Sequence, residues 1–537
     1  MKKRYYLLLF MAVLLTTSCH DLLFLESKTD ITNDYLKTPD GVLRETAALY
    51  AMDRSAATEN IGQIYMIDKY DAQTDISFFR TGEGGNMFKM GGLTPTTIQF
   101  QWFWNHYYKL IGKANEIITS AEKLGLENKD IKTAWGEAKF FRGRSYFELY
   151  KRFERLYLNK EPTTIDNIDR DFKPATEEEV FNLIITDLDD AISALDWELP
   201  QGITGPQHGR ATKAVVKHVR AQVAIWQKDY DKVISECEDI FAPGHFNHMD
   251  KSLKEVFLSS ENLRSPEVLM AYQFSKNIGG GGSMQGAGNL VGHKMSMIAT
   301  AYYTKITGCI AEASLGGYGW GRVFPNTYLL SLYDKEKDNR YKEMFVHEYY
   351  YNDPESPKYG QKINPKDYVK NGQYCMALHV ACKKNFDQWT NVDQPDRLSG
   401  FKDLILYRMG ETAIMLAEAY LQKGDMSNAC KYYNMTWERA GNDPVTSITM
   451  QDIIDEYARE CNFEGVRWSV LKRLGILADA VKAHGGDSKV EDPLLDGNYA
   501  TQRKTFVKGK HEVWPIPMTQ IDLMGGEDVF PQNEAWK

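Results

Sequence analysis

Met415-Leu-Ala417-Glu-Ala-Tyr420-Leu-Gln-Lys423-Gly424-Asp425-Met-Ser-Asn-Ala429-Cys-Lys-Tyr-Tyr433 is the stretch that decides the fold. Ala417, Tyr420, Gly424, Ala429 and Tyr433 follow one another at steps of 3, 4, 5 and 4 residues. Small residues at such steps let two antiparallel helices approach closely, and the tyrosines fill the groove beside them. Lys423-Gly424-Asp425 supplies the turn: glycine tolerates a left-handed backbone, and the aspartate that follows can cap the next helix.

This is the spacing of a tetratricopeptide pair, a unit that repeats at about 34 residues. A second copy runs through Ala221, Ala224, Lys228, Val233 and Cys237, with its turn near Lys228-Asp229. Gly143, Tyr146 and Tyr150 begin a third, looser one. The expectation is a mainly α protein on a scaffold of tetratricopeptide-like helical pairs.

Helical periodicity extends on both sides of these pairs. Between Pro39 and Lys232, Tyr108, Ile111, Asn115 and Ile118 share a helix face, and Trp135 to Tyr150 continue in kind. Thr176 followed by Glu177, Glu178 and Glu179 predicts a capped helix start, with carboxylates at its positive end. Leu183, Ile184, Leu188, Ile192 and Leu195 then form its apolar face. Residues 242–401 differ, being rich in Gly, Asn, Tyr and Pro with little sustained period. Gly279–Gly282, Gly316-Gly-Tyr-Gly-Trp-Gly321 and Tyr349-Tyr-Tyr351 lie there. They predict a loop-rich, irregular insertion carried on the helical frame, the kind of segment in which recognition residues concentrate. The division is a signal segment at 1–18, an N-terminal helical part at 19–241, the insertion at 242–401, and a C-terminal helical part with a closing strap at 402–537. All of these form one compact unit.

The N-terminus reads as an export signal. Lys2, Lys3 and Arg4 precede an apolar run, Leu7 to Leu15, and Thr16-Thr-Ser18 leads into Cys19. The run is too short to span a bilayer, which takes ~20 apolar residues. A small-residue run ending in cysteine predicts lipidation of Cys19, although Thr16 stands where such signals usually carry an apolar residue. Ordinary signal cleavage near a chance cysteine is the alternative. The chain has 64 Lys+Arg against 73 Asp+Glu, a net charge of −9, which argues against nucleic acid as a partner. Cys237, Cys309, Cys375, Cys382, Cys430 and Cys461 are too sparse for a disulfide framework and are expected to be mostly buried thiols, with one bridge possible.

No chemistry-bearing motif stands out. The glycine runs lack the Lys-Ser/Thr of a phosphate loop, and no Gly-x-Ser-x-Gly elbow occurs. His245, His248 and Asp250, or Cys375, His379 and Cys382, have no second pair at structural-zinc spacing. Neither a catalytic group, a metal nor a cofactor is expected. An enzyme is not indicated, although a glycosidase carboxylate pair is defined by spatial separation and cannot be read from sequence.

Three segments carry a resemblance. Arg408 to Tyr420 is one. Glu456-Tyr-Ala-Arg-Glu-Cys-Asn-Phe-Glu464-Gly465-Val-Arg467-Trp468, running on to Arg473 and Gly475, is the second. The third is Trp514-Pro-Ile-Pro517 with Ile521 and Gln532-Asn533. Together with Leu25-Glu26 through Thr29 to Tyr35, Leu36 and Lys37 after Cys19, they resemble the SusD/RagB family of Bacteroidetes outer-membrane nutrient-binding lipoproteins. That resemblance implies a non-catalytic, lipid-anchored protein of the outer membrane, on its extracellular face, that captures oligosaccharides. It also implies delivery to a partner, a SusC-like TonB-dependent transporter. Other members take other nutrients, so a peptide-capturing role stays open, as does a surface glycoside hydrolase. Glu464, Arg467 and Arg473 are expected to form a structural ion network tying the last helices to the frame, and Trp514-Pro-Ile-Pro517 an extended strap.

Sugars offer apolar C–H faces to aromatic rings and hydroxyls to charged partners. Two segments combine those groups in loop contexts, Asp75-Ile-Ser-Phe78-Phe79-Arg80 and Tyr318-Gly-Trp320-Gly-Arg322. By rough alignment both fall where the family's glycan-contacting loops occur. The expected ligand-binding residues are therefore Asp75, Phe78, Phe79, Arg80, Tyr302, Tyr318, Trp320 and Arg322. For Phe79 a core position is an equal alternative. Trp102 and Trp104 are read as core residues at the start of a helix.

Overall fold

The computed structural model describes residues 35–58, 63–79, 87, 90–164, 166–167, 172–199, 209–258, 265–276, 283–285, 289–371, 377–389, 399–485 and 505–537. Cys19, Arg80, Cys375 and Gly279–Gly282 lie outside them.

The frame is helical. Its long elements are α1 (Pro39–Arg54), α2 (Ile98–Leu124), α3 (Lys129–Phe153), α4 (Glu177–Ala194), α5 (Lys213–Trp226) and α6 (Tyr230–Phe241). After α7 (Met295–Ala299) in the insertion come α8 (Met409–Gln422), α9 (Met426–Trp437), α10 (Met450–Cys461) and α11 (Arg467–Arg473). The pairs expected from sequence are α8 with α9, α5 with α6, and α3 with α4. The first two share one apolar cluster in which Ala221, Ala224, Ala417 and Ala429 have no solvent exposure.

The turns form as the side chains require. Gly424 adopts φ +80°, and Asp425 accepts a hydrogen bond from the Asn428 amide at 3.0 Å. In the second pair Lys228 itself takes the left-handed conformation, φ +61°, ahead of the capping Asp229. That position costs more than it would with glycine, because a Cβ crowds the backbone there. At Gly143 the constraint is the neighbouring helix: an added Cβ would lie 3.2 Å from both the Asp187 Cβ and the Ile184 carbonyl oxygen. Thr176 and Glu179 form a reciprocal capping box at the start of α4.

Four short strands organise the insertion around the site: β1 (Ser77–Phe79), β2 (Val268–Tyr272), β3 (Val323–Pro325) and β4 (Leu404–Arg408). β1 pairs antiparallel with β3, and β2 with β4. Trp514-Pro-Ile-Pro517 is non-helical and interior, and the Trp514 ring packs edge-on against Phe103 and Phe153. Trp104 is fully buried in α2, while Trp102 is half-buried. Cys237, Cys309, Cys382, Cys430 and Cys461 are buried free thiols.

The expected ion network is present but wider than one helix region. Glu464 accepts from Arg408 Nε at 2.6 Å and from Lys384 Nζ at 2.6 Å. Burial alone would raise its carboxyl, but these cations hold it down to about 2. Arg473 pairs with Glu418, and Arg467 reaches back to Asp75, so the three residues bind three different parts of the frame. Arg408 also contacts Glu267 and Glu460, each within 2.8 Å, with almost no exposure on any member. Removing one partner from such a cluster strands a buried charge, which is why it specifies one arrangement of the last helices.

Candidate functional site

The two segments singled out in the sequence meet in space. Phe79 pairs with Val323, Phe78 with Phe324 and Ser77 with Pro325, so β1 lies beside the strand that leaves Arg322. The side chains, however, do different work from that expected. Phe78 and Phe79 are 1% and 2% exposed, and Phe78 stacks on Phe324 at 5.4 Å between ring centroids. They are core residues and present no face to a ligand. Asp75 is likewise interior: its two carboxylate oxygens accept from Arg467 Nε at 2.8 Å and Nη2 at 2.6 Å. A carboxylate held on both oxygens by a buried guanidinium is committed to structure. Asp75 and Phe78 are corrected from ligand groups to support, Phe79 takes the core alternative given for it, and Arg80 lies outside the described residues.

The second segment forms a half-exposed shelf. Trp320 donates its amide to the Met297 carbonyl at 2.7 Å, Gly321 to Thr300 at 2.8 Å and Arg322 to Ile298 at 3.0 Å, clamping the strip to the end of α7. Gly319 permits that approach, since a Cβ there would stand 2.2 Å from the Ala301 carbonyl oxygen. Gly316 and Gly317, at φ +88° and +74°, turn the chain into it.

On this base Tyr302 and Tyr318 meet edge to face, ring centroids 5.2 Å apart, with their hydroxyls hydrogen-bonded. Burial, and then the bond to Tyr302, push the Tyr318 phenol up to about 12, so it stays protonated at any physiological pH. The Arg322 guanidinium sits 4.6 Å from the Trp320 ring centroid. Tyr302, Tyr318, Trp320 and Arg322 are all half-buried, as a wet recognition surface requires. Lys294 Nζ, 5.6 Å from the Trp320 ring, and Lys305 Nζ, 4.9 Å from the Tyr302 ring, complete the surroundings. Sequence reading missed both lysines. Lys294 reaches Trp320 only through the fold, whereas Lys305 lies three residues from Tyr302 within one short turn.

A cavity of about 90 Å³ lies elsewhere, between the N- and C-terminal helices, lined by Tyr65, Lys69, Arg144, Glu148, Glu411 and Arg473 among others. Its charges are largely paired internally, Lys151 with Glu148 at 2.8 Å and Arg473 with Glu418 among them. It is a polar gap in the frame.

Comparison with known proteins decides the family. A model described as "SusD family" matches residues 266–536, and one described as "Starch-binding associating with outer membrane" matches residues 24–215. The chain belongs to the SusD family. It is 20% identical over 450 residues to SusD-like protein P25 of Formosa agariphila, covering 78% of this chain and 76% of that one. A SusD homolog from Bacteroides thetaiotaomicron superposes with a TM-score of 0.74 at 18% identity, over 93% of this chain and 98% of that one. Surface glycan-binding protein A from Bacteroides thetaiotaomicron, solved with laminarihexaose, superposes at 0.67 and 16% identity, over 92% and 99%. At these identities the superpositions establish the SusD fold along almost the whole length of this chain.

Proposed function

We propose that this SusD-family protein is a non-catalytic glycan-binding lipoprotein of the outer membrane, anchored through Cys19 on the extracellular face. It captures oligosaccharides on the insertion and passes them to a TonB-dependent transporter. The observation that carries the reading is the shelf itself. Trp320, Tyr302 and Tyr318 offer aromatic planes for C–H stacking, and the paired hydroxyls of the two tyrosines and a guanidinium stand beside them to meet sugar hydroxyls. Membership of a family whose second matching model is described as starch-binding supports it.

Isothermal titration against a panel of purified oligosaccharides, with chromatography of the mixtures afterwards, tests the reading. Binding without new products is expected, and Trp320→Ala together with Tyr302→Ala should lower affinity by about tenfold or more, each tenfold being about 1.4 kcal/mol. Full affinity in a folded double variant would move the site away from the shelf. Appearance of shortened saccharides would replace the binding role with an enzymatic one.

A further inference from the structure

Among the described residues, the cations beside the proposed shelf include two lysines that no carboxylate balances. Lys294, at the approach to α7, stands over the Trp320 ring beside the neighbouring Arg322, and Lys305, in the turn after α7, stands over the Tyr302 ring. Among the described residues neither Lys294 nor Lys305 belongs to an ion pair, and Lys294 is half-buried nonetheless. The carboxylate of Glu312, on the segment leading into the shelf, is engaged by Ser314 and by Asn352 Nδ2 at 3.0 Å. All this occurs on a chain whose net charge is −9. A cluster of one sign set against the charge of the whole molecule is the electrostatic mark of a ligand of the other sign.

We infer that the glycan taken at this shelf is anionic, with sugar-borne oxyanions, carboxylate or sulfate, paired to Lys294, Lys305 and Arg322. This rests on the glycan-binding reading above and narrows it to a substrate class. The ring chemistry favours it. Each cation near an aromatic face is held there by the negative face of the ring. A neutral sugar stacking on Trp320 or Tyr302 must displace those cations and loses that attraction. An acidic sugar lets them turn from ring to oxyanion, forming charge-assisted hydrogen bonds, which are about twice as strong as neutral ones. The rings then stack on its C–H face. One phenol of the Tyr302–Tyr318 pair donates to the other, which leaves the pair one hydroxyl hydrogen and its acceptor oxygens for neighbouring sugar hydroxyls.

The test uses the intact protein in detergent and size-matched ligands in separate arms: a neutral β-1,3-gluco-oligosaccharide, a neutral α-1,4-gluco-oligosaccharide, an oligogalacturonate and a sulfated oligosaccharide. At low salt one acidic arm should bind about tenfold or more tighter than either neutral arm. That advantage should shrink on raising NaCl from about 50 to 500 mM, as the Debye length falls. Lys294→Gln with Lys305→Gln should weaken the acidic arm by about fivefold and should not weaken any neutral binding, since no lysine then has to leave the rings. Arg322→Gln provides an independent variant. Which acidic arm responds tells carboxylate from sulfate. Neutral binding as tight as acidic, or acidic binding that ignores both salt and the lysine variants, overturns the inference and leaves the glycan reading intact. Failure of all four arms removes the glycan reading and this inference with it.

Discussion

Asp75→Ala separates a residue that holds the site from one that touches a ligand. Asp75 and Arg467 are each 1% exposed, and their side chains meet through two hydrogen bonds of 2.8 and 2.6 Å. Arg467 also donates from Nη1 to the Ile454 carbonyl at 2.6 Å, so it links α10, α11 and the chain entering β1. Truncating the aspartate leaves a guanidinium buried with half its partners gone. Breaking a buried pair in this way costs about 3–5 kcal/mol. With ~2.1 cal/mol/K of unfolding entropy per residue, the 537 residues give ~1.1 kcal/mol/K in all. The melting temperature should then fall by about 3–5 °C. Asp75→Asn, which keeps the shape and loses the charge, should fall between variant and wild type. Differential scanning fluorimetry gives the shift, and titration with a bound oligosaccharide below the transition gives the affinity, expected to stay within about twofold. An unmoved melting temperature combined with a tenfold loss of affinity would refute the reasoning. Asp75 would then be a ligand group after all.

Other predictions follow from the same geometry. Ala417→Leu should overpack the α8–α9 pair at a site with no exposure, costing about 1–3 kcal/mol, and unchanged urea unfolding would count against close helix approach there. His293 donates from Nε2 to the Lys402 carbonyl at 2.7 Å and accepts the Met295 amide on Nδ1 at 3.2 Å, which is a neutral ring. Burial lowers it to about 4, so its contribution is complete above about 6.5 and lost as pH falls toward 4, roughly 3 kcal/mol in all. His293→Gln should flatten the stability profile between about pH 6.5 and 4.5, above the range in which most carboxylates titrate, and an unaltered slope would remove this account. Cys19→Ala should leave the protein unprocessed or released from membranes, and wild-type partitioning into outer-membrane fractions with no retaining partner would defeat the anchor.

What was legible in the sequence was what short-range chemistry controls. Ala417, Gly424 and Asp425 lie within one turn's reach of each other, so their spacing alone implies the α8–α9 pair, and Thr176 with Glu179 implies a cap for the same reason. The Gly-rich strip at 316–321 was read as a recognition loop and stays the proposed site. Asp75, Phe78 and Phe79 were misread because what decides their role is far away in sequence. Arg467 takes Asp75 across 392 residues, and β3 takes the two phenylalanines across about 245. An aspartate beside two phenylalanines looks the same in a binding loop and in a buried strand until its partner is known. Lys294 and Lys305 escaped for the opposite reason, since isolated lysines in a loop-rich region carry no pattern at all.

The misread residues still belong to the site's physics, because they determine how rigid the shelf is. One edge of the insertion is fixed where His293 pairs by backbone with Gly400 and by its ring with Lys402. The other edge is fixed where β3 lies on β1, and β1 is held through Asp75 to α10 and α11. Between those ties Trp320, Gly321 and Arg322 hang on the carbonyls of α7, a helix whose five residues are all buried. A flat aromatic surface gains affinity only to the extent that its rings are already in place, since each side chain immobilised on binding costs about 0.5–1.5 kcal/mol. The frame removes that cost for the indole backbone and for the Tyr302–Tyr318 pair, which hold each other. Among the described residues Lys294 and Lys305 join no ion pair, and their stems are long and flexible. The division fits a surface that recognises the sugar ring by rigid stacking and its charged substituents by adaptable cations. Variants of the frame should therefore act on stability, and variants of the cations on ligand choice.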